Sequence, residues 1–256
     1  MMKPLNTPIR QWHGRKVWLI GASSGIGLAI AHALHAAGAT VVISARRADA
    51  LDAFVQAHPG AHAVALDVCD NDAVVRATEQ VAQTVGLDVV VYCAGYYKAE
   101  RAFDARLASW LQHLDINYQG ALRVIAQVVT RLQSGAHISL IASVAGYRGL
   151  PLCMGYSPAK AALNNLADVM YFDLAPRGIG VSVINPGFVS TPLTAQNDFH
   201  MPALLTPEQA AQAVLEGWAS GVFEIHFPRR FSRFLKFMRL LPDRWYFYLT
   251  RRASGL

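Results

Sequence analysis

Short apolar runs recur along this chain at 16–20, 40–44, 62–66, 88–92, 136–142, 179–184 and 222–227, and sequence of helical period fills every gap between them. Seven buried-looking strands joined by helical connections of roughly 10 to 30 residues are the pattern of a parallel sheet, because crossover helices shield both of its faces from water. The expected fold class is α/β: a Rossmann-like doubly wound sheet of about seven parallel strands with helices on both faces, followed by a basic amphipathic C-terminal helix. With 256 residues, 53% of them apolar, the chain can bury a full-size core, and α/β folds of this length are routinely one unit. No fixed-period repeat, low-complexity block or Pro/Ser-rich linker interrupts it. One domain over 1–256 is expected, with 229–256 as its basic tail.

The formal net charge of +6 is unevenly placed: residues 229–256 hold eight Lys/Arg and one acid, leaving 15 bases against 16 acids elsewhere. A near-neutral body with one basic terminus lacks the positive face that phosphate binding requires, so no nucleic-acid partner is expected. Cys69, Cys93 and Cys153 are odd in number, far apart and without a C-x-x-C pair, which suggests neither a disulfide framework nor a zinc site. His32 and His35 share a helix face without a third ligand at useful spacing, so no metal is expected. The first fifteen residues carry charges, Pro4 and Pro8 but no apolar stretch of signal-peptide length, and no uninterrupted run is long enough to span a bilayer. The expected location is cytoplasmic, with any membrane contact peripheral, on the inner membrane face.

Directly after the first run stands Gly21-Ala22-Ser23-Ser24-Gly25-Ile26-Gly27, leading into an Ala-rich helix that ends near Gly38. Its G-x3-G-x-G spacing suits a turn with positive φ and a backbone bare enough for pyrophosphate to approach, while the following helix aims free N–H groups and its positive end at that charge. Strand-to-helix glycine turns also serve packing alone, and that alternative stays open. After the second run come Ser44-Ala45-Arg46-Arg47, where an acid would otherwise accept hydrogen bonds from a ribose 2′-hydroxyl. Two guanidinium forks in place of the acid favour NADP over NAD, with Arg46 the first choice for the 2′-phosphate and Arg47 the second. The alternative is a solvated helix start. Asp67-Val68 is placed to meet the adenine amino group, and Cys93-Ala94-Gly95 offers a small-residue turn under the cofactor; both are also compatible with turn or helix-cap chemistry.

The strongest signal is Tyr156-Ser157-Pro158-Ala159-Lys160, preceded thirteen residues earlier by Ser143 at a strand end. Tyr156 and Lys160 share a helix face. A phenol of ordinary pKa about 10 exchanges protons poorly at neutral pH, and a neighbouring ammonium would draw that value down. Ser143 can hydrogen-bond a substrate oxygen and hold its carbon in place for hydride transfer.

From about residue 16 to 227 the sequence resembles the single-domain short-chain dehydrogenases/reductases. The glycine turn, Cys93-Ala94-Gly95, Asn117, Ser143, Tyr156, Lys160, Asn185-Pro186-Gly187 and Thr191 occur in that family's order and at about its spacing. The resemblance implies that Tyr156 and Lys160 also touch the cofactor, and that Asn117 interrupts its helix to hold a water linking Lys160 to solvent. It further implies that Pro186-Gly187 support the nicotinamide, that Thr191 meets its carboxamide, and that Val189 belongs to the same cofactor-binding stretch. A homodimer or homotetramer built through the helices around 104–131 and 156–175 is also implied. Two departures stand out: Ile20 replaces the usual Thr before the first glycine, and Cys93 replaces the usual Asn. They bear on cofactor affinity rather than on mechanism.

Tyr96, Tyr97, Tyr147, Cys153 and Met154 flank the expected site and either line a substrate pocket or pack. In the tail, Phe231, Phe234, Leu235, Met238 and Leu241 fall on one side at helical spacing, with Arg229, Arg233, Lys236 and Arg239 elsewhere. Such a helix suits a membrane interface, and equally a position over the substrate pocket or on a second subunit. The apolar tail and a mobile 188–201 segment suggest a bulky apolar or lipid-like small-molecule carbonyl or alcohol substrate. The expected function is NADP-dependent carbonyl reduction or the reverse. The alternatives are a non-catalytic NADP-binding sensor or scaffold, which needs no Ser143–Tyr156–Lys160–Asn117 set, and an epimerase or dehydratase, whose C-terminal substrate region is usually larger.

Overall fold

A computed structural model describes residues 3–198 and 201–255. The elements are β1 (Lys16–Ile20), α1 (Gly25–Ala36), β2 (Thr40–Ala45), α2 (Ala48–Ala57), β3 (His62–Ala65), α3 (Asn71–Thr84), β4 (Val89–Tyr92), α4 (Leu107–Leu114), α5 (Gly120–Val128), β5 (His137–Ile141), α6 (Tyr156–Leu174), β6 (Gly180–Pro186), α7 (Pro207–Ser220), β7 (Glu224–Phe227), α8 (Arg229–Arg239) and α9 (Asp243–Ser254). All seven strands pair in parallel in the order β3-β2-β1-β4-β5-β6-β7. The chain is thus the expected Rossmann-like α/β sheet, and its direction of winding reverses between β1 and β4.

Period-two alternation assigns each strand side chain to one of two cores. Trp18, Ile20, Val90, Tyr92, Ile138, Leu140, Val181 and Val183 pack with α3, α5 and α6. Their neighbours Val17, Leu19, Val89, Val91, Ile184, Ile225 and Phe227 pack with α1, α2 and α7 on the opposite face. The two most deeply buried indoles find acceptors, Trp18 Nε1 on Ser44 Oγ and Trp218 Nε1 on Ser139 Oγ, each at 2.9 Å. No buried indole proton at these two sites is left without a partner, which removes the cost of placing a donor in the core.

The expected single C-terminal helix is two, α8 and α9, broken at Leu240–Pro242 because proline cannot donate to the preceding turn. The expected apolar side of α8 divides as well: Phe231, Leu235, Met238 and Leu241 face inward, whereas Phe234 is exposed. Of the 188–201 segment, 199 and 200 lie outside the described residues. Its described part is tied down by a Val189–Leu205 bridge, by the Thr194 hydroxyl donating to Val189 O, and by Gln196 Nε2 donating to Tyr97 O. Among the described residues no helix is long and apolar enough to cross a membrane.

Candidate active site

Loops leaving the C-terminal ends of the strands enclose a cleft of about 550 Å3, centred where the winding reverses, the place where open α/β sheets bind ligands. Every candidate cofactor residue lines it: Gly21, Ser23, Ser24, Gly25, Ile26 and Gly27 of the glycine turn, Arg46, Arg47, Asp67, Val68, Cys93, Ala94, Gly95, Pro186, Gly187, Val189 and Thr191, together with Ser143, Tyr156 and Lys160. Asn117 lies one layer behind, against Gly95.

Backbone proximity sets the glycine turn. Gly21 has φ +88°, and a Cβ there would stand 2.3 Å from the Ala94 backbone nitrogen; one on Gly27 would stand 2.8 Å from Gly21 O. The turns after β1 and β4 therefore interlock main chain to main chain, so these glycines serve packing and also leave the cleft floor bare. Ser24 caps α1 in extended conformation without a side-chain bond to its own helix, and the first turn of α1 holds no acid. That leaves free N–H groups and positive charge density facing the cleft. Arg46 and Arg47, exposed at its rim, form no salt bridge among the described residues. Bare backbone, helix end and unpaired guanidinium groups together fit a phosphorylated dinucleotide.

The two departures from the family pattern are absorbed locally. Ile20 joins the core, and the Cys93 amide donates to Ile20 O at 2.7 Å, so main chain ties β1 to β4 where a side-chain amide is missing. Burial pushes the Cys93 thiol up to about 12, which makes it an inert filler. Asp67 Oδ1 accepts from Cys69 N at 3.0 Å, so one of its oxygens is committed to turn chemistry.

Ser143 follows β5 in extended conformation; its amide donates to Asn185 Oδ1 and its hydroxyl accepts from Ala145 N, both at 3.1 Å. Ser157 Oγ donates to Ala145 O at 2.7 Å and fastens the start of α6 to that turn. Lys160 is buried one helical turn beyond Tyr156, with Nζ 2.8 Å from Ile141 O, to which it donates, and 5.6 Å from the centre of the Tyr156 ring. Burial lowers the Lys160 pKa to about 7, with Cys93 opposing. Burial raises Tyr156, against the pull of the Ser143 hydroxyl, and Cys153 and Tyr97 add to the rise. The expected lowering of the phenol by the ammonium is therefore not realised here: Lys160 is directed at a carbonyl, and its own positive form is disfavoured by burial.

The expected interruption at Asn117 is a π-turn, Asp115–Gln119, between α4 and α5. Asn117 Nδ2 donates to Tyr96 O at 2.8 Å and His113 O at 2.9 Å, and its Oδ1 accepts from Tyr96 N. Tyr92 donates its hydroxyl to Ile116 O at 2.6 Å, capping a carbonyl freed by the bulge. Gly120 permits this, since a Cβ there would stand 2.3 Å from that hydroxyl.

Of the five flanking residues flagged in the sequence, Tyr96 and Tyr97 line the cleft, with Tyr97 edge-on to Tyr156 at 5.0 Å between ring centres. Tyr147, Cys153 and Met154 do not line it; Tyr147 donates instead to Glu224 at 2.5 Å. Sequence reasoning missed His113, a neutral imidazole whose Nε2 accepts from Lys98 N while Nδ1 donates to Ser109 O, and whose ring lies 6.5 Å from that of Tyr156. It also missed the chain from Ser143 through Asn185 and Glu224 to Lys236, with Asn185 Nδ2 donating to Glu224 at 2.9 Å and Lys236 at 2.6 Å. His32 and His35 pack with Phe54 and His58; no group of three or more metal-capable side chains is gathered among the described residues.

The family model described as short chain dehydrogenase matches residues 15–201. An uncharacterized oxidoreductase of Staphylococcus aureus strain MRSA252 is 34% identical over 200 residues, covering 76% of this chain and 87% of that protein. Among solved structures, a short-chain dehydrogenase from Streptomyces avermitilis superposes with a TM-score of 0.82 at 25% identity, covering 94% of this chain and 98% of that one. A short chain dehydrogenase from Burkholderia cenocepacia J2315 in complex with NADP superposes with a TM-score of 0.77 at 26% identity, over 85% and 97% of the two chains.

Proposed function

The chain belongs to the short-chain dehydrogenase/reductase family and is an oxidoreductase of that family, and from that premise we propose that it interconverts a carbonyl and an alcohol with NADP(H), on a bulky apolar or lipid-like substrate. The observation that carries this reading is one continuous cleft holding the bare glycine turn and the unpaired Arg46 and Arg47 at one end and Ser143, Tyr156 and Lys160 at the other. When bound, NADPH supplies the hydride for reduction.

In that direction the Ser143 hydroxyl orients the substrate oxygen and Tyr156 gives it a proton. Burial favours the neutral phenol, so Tyr156 enters the step holding the proton it must donate. Lys160, with a pKa near 7, loads and unloads a proton at neutral pH and restores the phenol. Asn117 keeps the helix open beside Gly95, where Lys160 could reach solvent protons. The roles assigned to Asp67 and Val68 at the adenine end and to Gly187, Val189 and Thr191 at the nicotinamide end rest on their place in the cleft. Tyr97 supplies apolar lining beside Tyr156, and Leu193 lines the same cleft. A homo-oligomer through α5 and α6 is part of the same reading, because Leu122, Val169 and Phe172 present exposed apolar side chains there. A cytoplasmic location accords with the three free cysteines.

The test is a titration with NADPH and NADH, following nicotinamide fluorescence, for wild type and Arg46→Ala. NADPH is expected to bind more tightly, and the variant to lose about tenfold or more for NADPH alone, as a charge-assisted phosphate contact disappears. Equal or tighter NADH binding would sink the arginine argument; failure of both cofactors to bind would remove the catalytic reading.

A further inference from the structure

The tail is fixed to the body on one side and open on the other. Lys236 of α8 pairs with Glu224, Arg148 donates to Arg239 O and Leu241 O and pairs with Asp243, and Tyr246 of α9 donates to Gly149 O at 2.7 Å. These contacts consume the single acid of residues 229–255 and one of its bases. The remaining seven, Arg229, Arg230, Arg233, Arg239, Arg244, Arg251 and Arg252, are exposed and form no salt bridge among the described residues.

Outward, α8 with its capping residue Leu240 shows Phe234, Phe237 and Leu240 at successive i, i+3 positions, and α9 shows Trp245, Tyr248 and Leu249 on one side. Phe237 is 60% exposed, Leu240 80% and Trp245 62%. Large apolar side chains this open cost solubility unless something covers them. The charges interleaved with them are cationic except for Asp243, which is already paired with Arg148, and Trp, Tyr and Arg are the residues that settle at the level of lipid headgroups.

We propose that this outward face of α8 and α9 docks on an anionic phospholipid surface, the aromatic and leucine side chains entering the acyl boundary and the arginines meeting phosphate and carboxylate headgroups. Charge complementarity selects this occupant. A second copy docking through the same face would be isologous and would set arginines against arginines, the one acid of the tail, Asp243, being already paired with Arg148. A lipid surface supplies both the apolar layer and the counter-charge. The docking face is independent of the reaction proposed above, since its readout needs neither cofactor nor substrate.

The full-length protein is tested by flotation with vesicles of phosphatidylcholine and of phosphatidylcholine/phosphatidylserine at about 7:3, at low and high salt. Binding is expected only to the anionic vesicles and should fall with salt. Arg230→Gln with Arg233→Gln, and separately Phe237→Ser with Trp245→Ser, should each weaken it about tenfold or more. These positions are exposed, so unchanged thermal midpoints are expected alongside. No anionic binding, equal binding to both vesicles, or binding indifferent to both double substitutions would overturn the assignment. So would a vesicle-free oligomer that dissociates on Phe237→Ser with Trp245→Ser, which assigns the face to another copy, or a polynucleotide that binds as tightly as the vesicles.

Discussion

The floor of the cleft and the C-terminal helix pair are built on opposite plans. Ser143 and Lys160 are buried and Tyr156 is half-buried, the Ser143 amide, the Ser157 hydroxyl and Lys160 Nζ close on partners, and Tyr156 and Lys160 are driven far from their ordinary pKa values. On α8 and α9 seven arginines are left in water, and exposed aromatic rings share the same two helices. Burial shifts protonation equilibria and so suits chemistry; exposure leaves charge and apolar area available and so suits attachment. Changes at the floor should therefore act on turnover and on pH dependence, and changes in the tail on contacts and modestly on stability.

The largest effect is expected from Tyr156→Phe. Removing the hydroxyl to which the proposed mechanism assigns the proton should lower turnover by about 10²- to 10⁴-fold, while NADPH affinity and the thermal midpoint move little. Single-turnover kinetics with cofactor titration separates the two. A variant retaining more than a tenth of wild-type turnover would give the proton to another group and break the contrast at its centre.

Lys160 sharpens the contrast through pH. Its folded pKa is about 7, against an ordinary 10.5. Between these values the unfolded chain binds the proton and the folded chain does not, so this group makes stability rise with pH across that window. Below about pH 7 both states hold the proton and the burial cost is paid in full. The three half-buried thiols act oppositely, because their folded pKa values are raised and the unfolded chain ionises first, from about pH 8.5 upward. The thermal midpoint of cofactor-free protein should therefore climb from pH 7 to about 8.5, and Lys160→Met should flatten that climb while abolishing most turnover. A climb of equal slope in the variant would assign it elsewhere.

What the sequence discloses and what it conceals follow the same division. The glycine turn and the Tyr156/Lys160 pair are legible because their residues lie within seven positions of one another, so spacing alone fixes turn and helix-face geometry. Asn117 is reached only through the resemblance, although Gly120 three residues on marks the same bulge. The Ser143–Asn185–Glu224–Lys236 chain is hidden, since strand pairing of β5, β6 and β7 gathers residues that no local pattern connects. The state of Lys160 is hidden for another reason: whether an ammonium lowers a phenol or surrenders its own proton depends on burial, and the sequence shows only their adjacency. In the tail the apolar spacing legible in the sequence runs only from Phe231 to Leu241, so the second helix beyond Pro242 is not disclosed by it.

The smallest effect, and the one that probes how the two plans are joined, is expected from Glu224→Gln. The amide oxygen can still accept from Tyr147 and Asn185, where Oε1 does now, but an NH2 group would face Lys236 in place of Oε2. Only the tie to α8 is cut. Both partners of that ion pair are about a third exposed or less, 34% and 27%, so the loss should be about 1 kcal/mol, between the values for surface pairs and for buried charged hydrogen bonds. Turnover should fall less than about threefold, because the Ser143 amide keeps its acceptor on Asn185. Chemical denaturation together with steady-state kinetics reads both quantities. A fall in turnover of tenfold or more at unchanged stability would mean that the position of α8 sets the geometry of Ser143, and that the attachment face and the catalytic floor work as one device.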